Sequence, residues 1–282
     1  KSTTMYGNIV ALDESPLQED LLYVGSDDGL IHVTENAGGQ WSTYSKFKGI
    51  PENTYVNALI ASKHNVNTVY AVFNNHKNGD FKPYVMVSND KGKNWKSISA
   101  NLPKRGTVYD LAEDHIQSDL LFVGTEFGVF FSYNGGEEWK QLKAGLPTIA
   151  VKDIEIQERE NDLVLATFGR SFYVLDDYSS LRSLKSNMGS KAAIFEIKKS
   201  LMYMDARPLG LRGKGSQGES HYTAKNPPLG AVITYFFNDT LKTNKQNRRK
   251  AEKQLIKKNE DVKYPTLEEL RAEDREEKPY LI

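Results

Sequence analysis

The chain has no cysteine. That excludes a disulfide framework and thiol chemistry, and it fits a bacterial envelope protein as well as a cytosolic one. It has no net charge either, since 37 Lys and Arg balance 37 Asp and Glu. A chain without a basic excess is not built to grip nucleic acid or an anionic membrane along its whole length. No apolar run approaches the ~18 residues of a membrane-spanning helix. Lys1-Ser2-Thr3-Thr4 is not followed by the apolar core of a signal peptide. The five histidines, His32, His64, His76, His115 and His221, are scattered, with no two at ligand spacing, so no metal site is expected. Gly210, Gly213, Gly215 and Gly218 stand in a polar loop that does not follow a strand and open a helix. A phosphate cradle is therefore not expected, and no cofactor is implied.

What is present is a repeat. Val87-Ser88-Asn89-Asp90-Lys91-Gly92-Lys93-Asn94-Trp95 is its clearest copy. Phe131 to Trp139 and Val33 to Trp41 are two more, and all three tryptophans of the chain close a copy. Each copy places a Ser or Thr (Thr34, Ser88, Ser132) two residues before an Asx (Asn36, Asp90, Asn134). A turn glycine (Gly38 and Gly39, Gly92, Gly135 and Gly136) and a Trp (Trp41, Trp95, Trp139) follow. The hydroxyl and the Asx side chain can bond nearby backbone N–H groups and shape a hairpin turn. Gly supplies a backbone conformation that side chains oppose, and the indole pins the hairpin to its sheet. The motif reads as a structural staple and does not mark a catalytic centre.

Four segments share one layout. Their opening strands begin at residues 9, 56, 108 and 151, which are 47, 52 and 43 residues apart. That period suits propeller blades of several strands each. The second strands, such as Leu120 to Gly124 and Thr68 to Val72, are nearly all apolar, as expected of strands buried on both faces. The second unit carries a longer segment, Phe73 to Phe81, read here as a loop. The fourth lacks the box and has Asp176 to Leu181 in its place. Four blades are too few for most such propellers, so further blades are expected N-terminal to Lys1 or on another chain. The expected division is residues 1–184 as blades and 185–282 as a linker and partial β-domain with a helical insertion at about 241–277.

In that second part, Ala192 to Ile197 and Ala231 to Phe237 read as strands. Asn226-Pro227-Pro228-Leu229-Gly230 reads as a rigid turn. Residues 242–260 form a basic helix. An acidic helix opens at Thr266-Leu267-Glu268-Glu269, a capping-box pattern. Opposite charges on the two arms predict a helical hairpin. Lys278 to Ile282 reads as a strand that begins and stops.

The box and three further stretches resemble the bacterial BNR or Asp-box repeat proteins, sortilin-like and often labelled glycosyl hydrolases. The stretches are Leu22 to Leu30, Ala166 to Asp177 and Asn226 to Ala231, the last followed by a charged helix and Leu270 to Glu277. Relatives commonly have His where Phe168 stands. The resemblance implies an all-β fold: Asp-box propeller blades, then the start of a β-sandwich-like domain with a charged helical insertion. It implies a periplasmic, cell-surface or secreted protein that binds peptide, protein or glycan, with glycoside hydrolysis as the alternative.

Hydrolysis would need two carboxylates about 5–9.5 Å apart. The candidates are Asp27 and Asp28 in the first unit and Glu126 in the matching turn of the third; such turns are also ordinary hairpin chemistry. A sialidase also needs an arginine cluster. Arg105, Arg159 and Arg170 are scattered, and no Arg-Ile-Pro motif occurs. Binding candidates are Arg170, Phe168, Asn74, Asn75 and Phe81, with Phe73 beside them on the loops.

Overall fold

The computed structural model describes residues 7–143, 145–187, 190–200, 202, 229–238 and 242–277. The chain divides into two compact units, residues 1–186 and 187–282.

The first unit is a series of antiparallel sheets, each folded from consecutive strands. Sheet one is β1 (Ile9–Glu14), β2 (Leu22–Ser26), β3 (Ile31–Thr34) and β4 (Ser42–Tyr44). Sheet two is β5 (Tyr55–Ala61), β6 (Val69–Asn75), β7 (Asp80–Ser88) and β8 (Lys96–Ser97). Sheet three is β9 (Val108–Glu113), β10 (Leu121–Thr125), β11 (Gly128–Ser132) and β12 (Lys140–Leu142). Sheet four stops at three strands, β13 (Val151–Gln157), β14 (Asp162–Thr167) and β15 (Phe172–Leu175). These sheets are the blades, and their first strands lie side by side in order.

Packing between blades explains the apolar runs. Tyr23, Ile31 and Val33 of the first blade meet Val56, Leu59, Phe73 and Met86 of the second. Tyr70, Val72 and Val85 of the second meet Val108, Leu111, Leu121 and Val123 of the third. Every residue of β10 is buried, because blades cover it on both faces. The tight fit also explains why β2 and β10 carry glycine as their last residue but one. A Cβ on Gly25 would lie 2.5 Å from Val56, and one on Gly124 would lie 2.7 Å from the carbonyl oxygen of Val151. Glycine lets the next blade's first strand close in.

Polar groups set the register between blades. Asp13 accepts a bond from the Ala61 N–H at 2.7 Å. Asn57 donates its amide to the Tyr109 carbonyl. Asp110 accepts from the Ile154 N–H at 2.9 Å. Buried Glu113 receives Lys63 N–H, Ser62 Oγ and Tyr70 OH at 2.7, 2.9 and 3.0 Å, so its charge is well solvated by the protein.

The repeated turn has one geometry in three blades. Ser88 Oγ accepts from Asp90 N and Gly92 N, at 3.3 and 2.8 Å, and donates to Asp90 Oδ1 at 2.8 Å. Thr34 and Ser132 do the same with Asn36 and Gly38, and with Asn134 and Gly136. The Asx oxygen then takes the N–H four residues on: Gln40, Asn94 or Glu138. The indoles differ in depth. Trp139 is buried and donates to the Ile98 carbonyl, Trp95 is half-buried, and Trp41 is exposed.

Unit four keeps more of the turn than its sequence suggests. Tyr178 N bonds the Asn161 carbonyl just as Lys91 N bonds that of Asn67, which places Asp177 at the Asx position of the box. Leu175 stands where the other blades have Ser or Thr. A 3-10 turn, Tyr178–Ser183, follows and runs into a single helical turn, α1 (Leu184–Asn187). Tyr178 packs on Phe122 and donates to Asp114 at 2.6 Å, while Arg182 grips Asp114 with bonds of 2.7 and 2.9 Å. Tyr178 and Arg182 take over the anchoring that Trp performs elsewhere.

The expected loop at Phe73 to Phe81 is instead an extended hairpin. β6 and β7 run on to Asn75 and from Asp80, joined by a 3-10 turn over His76–Asn78. Phe73 is wholly buried, not displayed. Its apolar side chain continues the inward face of β6, so the strand does not end before it.

In the second unit, β16 (Ala192–Ile194) pairs with β17 (Tyr235–Phe237), shorter than the runs expected at both places. Two helices, α2 (Asn244–Lys257) and α3 (Leu267–Arg275), form the charged hairpin. Arg248 bonds Glu273 through Nε and Nη2 at 2.6 and 2.7 Å, and Lys245 meets Asp274 at 2.6 Å. Thr266 and Glu269 form the capping box, and Thr243 with Gln246 forms a second. The glycine loop around Gly213, His221, the Asn226 to Pro228 part of the turn and the strand at Lys278 lie outside the described residues.

Candidate ligand-binding rim

Each blade's first strand carries a bulge at the same place. Pairing with the second strand slips so that Val10, Asn57, Tyr109 and Lys152 stand opposite no partner. A bulge re-aims its extra side chain. Here it turns chemically varied residues toward the rim formed by the turns between second and third strands. The repeated Ser/Thr-Asx turns lie at the other ends of the strands, as the pairings Leu22–Thr34, Val69–Ser88 and Leu121–Ser132 require.

Three bulge residues converge on one open cavity of about 390 Å³, lined by Tyr55, Asn57, Asn74, His76, Lys77, Tyr109 and Lys152. The lining is held in place. The His76 N–H bonds Asn74 Oδ1 at 2.9 Å, and His76 Nε2 lies 2.7 Å from Thr107 Oγ1. The His76 ring stands 4.9 Å from Phe81 and 6.0 Å from Tyr109. Lys152 Nζ sits 3.2 Å over the Tyr109 ring and 5.7 Å from that of Phe168. Lys77 lies 5.6 Å over Tyr55. Burial pulls the Lys152 ammonium below its usual pKa, and only the charge of Glu126 pulls it back. Burial raises the Tyr109 phenol, as does its bond to Glu126.

Several expected residues meet here. Asn74 lines the cavity, and Phe81, Phe168 and Glu126 touch its wall. Others do not. Asn75 is buried, bonded to Asn78 and Asp80, and faces the hairpin interior. Arg170 is exposed in its turn and makes no hydrogen bond or ion pair among the described residues. Asp27 is buried; Asn8 Nδ2 and the Asn8 and Gly7 N–H groups hold its carboxylate below the usual range. Asp28 takes the Ser26 hydroxyl. Each of the three carboxylates expected for hydrolysis is thus engaged by a neighbour in its own blade.

A further pair of carboxyl groups joins blades three and four. Asp110 meets Asp153 of the next blade within hydrogen-bond reach; burial raises the Asp110 carboxyl, Ile154 and Leu111 N–H groups oppose this, and Asp153 adds to it. Groups this close are nearer than the 5–9.5 Å of a glycosidase pair.

Tyr55, Asn57, His76, Lys77, Tyr109 and Lys152 escaped the sequence reading. The signal was there: the residue directly after each opening Ile or Val changes from Val10 to Asn57 to Tyr109 to Lys152, while the opening residue stays β-branched. Among the described residues, no group of three His, Asp or Glu is placed to hold a metal, and no helix is long and apolar enough to cross a membrane.

The chain is mostly β, and its first unit is a series of propeller blades. No protein-family model and no curated protein matches it. Solved structures do. An ancestral GH74 enzyme aligns at 19% identity and a TM-score of 0.48, over 58% of this chain and 22% of its own. The extracellular domain of the one-component system BT4673 from B. thetaiotaomicron aligns at 17% and 0.47, over 64% and 22%. YCF48 bound to D1 peptide aligns at 12% and 0.45, over 60% and 51%. The matched part therefore spans between a fifth and about half of those proteins.

Proposed function

We propose that this chain is the ligand-binding part of an exported, sortilin-like BNR-repeat propeller, which holds a glycan, peptide or protein segment at its bulge rim without cleaving it. One observation carries this reading. Aromatic, amide and cationic side chains from blades two, three and four converge on one open cavity whose lining holds no carboxylate. Binding sites are concave and combine apolar walls with a few placed polar groups. The exposed apolar face of the first blade, with Ile9, Leu12 and Trp41, supports further blades completing the ring. Residues 1–184 act as the propeller part and 185–282 as an appended domain.

The test is binding of the whole chain to arrayed glycans and peptides, beside an Asn57→Ala, Tyr109→Ala variant checked for folding by circular dichroism. A ligand retained by the folded chain and lost in the folded variant supports the rim. Release of reducing sugar from a polysaccharide, abolished by Asp28→Asn or Glu126→Gln, would replace this reading with a glycoside hydrolase.

A further inference from the structure

Resting on that reading of the rim, we infer that its ligand is a saccharide carrying a carboxylate, a uronic acid residue within an acidic glycan. The argument starts from charge. The lining contributes the ammonium groups of Lys77 and Lys152 and no acid. Among the described residues, no carboxylate lies within ion-pair distance of Lys152, whereas Lys63, Lys91, Lys140, Lys185 and Lys245 each have one. Its ammonium instead rests on the Tyr109 ring at 3.2 Å. Such a cation gains from an anion that enters beside it.

Glu126 acts on this ammonium through space and is itself bonded by the Tyr109 hydroxyl, so among the described residues no carboxylate contacts Lys152.

The rest of the lining selects the class. Asn57 and Asn74 are coupled to each other at 3.5 Å, and each fixes a backbone group, so their amides are presented in set orientations. Oriented amides suit vicinal hydroxyls. The Phe168 ring, 71% exposed and 5.7 Å from Lys152, offers a flat apolar face beside the cation. A sugar ring has an apolar face to lay on it, hydroxyls for the amides and, as a uronate, a carboxylate for Lys152. An acidic peptide offers the carboxylate but no ring of hydroxyls, so the saccharide is the better fit.

The experiment titrates the whole chain with a galacturonic acid oligosaccharide, its methyl ester and a poly-glutamate peptide, by calorimetry. The free acid is expected to bind about tenfold or more tightly than the ester, in line with one charge-assisted contact. The preference should shrink as salt rises. Lys152→Gln should abolish the preference for acid over ester, and Lys152→Arg should retain it. Acid and ester bound equally would overturn the anionic class and leave the binding rim standing. Peptide bound with no saccharide bound would overturn the saccharide. No binding of any probe, with the chain folded, would overturn both readings.

Discussion

The two rims of the blades are built from the same strands and obey opposite rules. At the box rim, Thr34, Ser88 and Ser132 repeat one hydrogen-bond pattern, and neighbouring blades are fastened through Glu113 and Asp114. At the bulge rim, equivalent positions hold Val10, Asn57, Tyr109 and Lys152, which share a backbone geometry and nothing else. Repetition marks where the fold is secured. Variation on a fixed backbone marks where chemistry is free to differ.

The largest expected effect comes from breaking the box rim at its deepest charge. Asp114 takes Arg182, Tyr178 and the Ile116 and Gln117 N–H groups. Asp114→Ala leaves a partly buried guanidinium unpaired, and such losses cost about 3–5 kcal/mol. Urea unfolding measures it, and a loss under about 1 kcal/mol would sink the anchoring role. Gly136→Ala comes next. Gly136 has φ of 88°, and an added Cβ would lie 2.8 Å from Ile98. Strain and overlap together should cost about 2–4 kcal/mol in the same assay.

Ser132→Ala removes one acceptor from the turn N–H groups and should cost about 1–2 kcal/mol. At the other rim, Lys152→Ala gives up only a cation–π contact and should change stability by less than about 1 kcal/mol. Its loss should appear in ligand binding instead, and a variant that binds normally but unfolds early would erase the contrast between the rims.

The smallest effect is a slope with pH, and its sign separates two aspartates of neighbouring position. Asp110 has its carboxyl raised by burial and by Asp153, so the folded state holds its proton more tightly than the unfolded state. Its contribution is present in full below about pH 4 and is lost as pH rises through the raised value. Asp114 has the opposite sign. Burial raises its carboxyl, but bonds from Arg182 and Tyr178 outweigh that and hold it low. Its contribution is present above the usual carboxylate range and is lost on acidification. Comparing wild type with Asp110→Asn isolates the first term: the wild type should lose stability relative to the variant as pH rises towards neutral. A flat difference would show that Asp110 is not tuned by its site.

Blade strands, boxes and the charged helix pair were legible because each rests on local pattern. Period, turn chemistry and capping residues act within a few positions of one another. Phe73 was misread because a loop and a long hairpin share the same polar residues, and only the packing of β6 against the first blade decides between them. Tyr109 and Lys152 were passed over because their role depends on a bulge, which pairing creates and composition does not announce. Asp177 was hidden for a related reason. Its hydrogen-bond register keeps the box position after Ser, Gly and Trp have gone.

Three links between first strands run forward, beside the backward reach of Glu113 to Ser62 and Lys63. Asp13 reaches blade two, Asn57 reaches blade three and Asp110 reaches blade four. Blades one to three thus each carry a fastening for the one that follows. The three joints sit at different places in the repeat, the third residue after the bulge, the bulge residue itself and the first after it, so a blade moved out of sequence would meet a neighbour cut for another key.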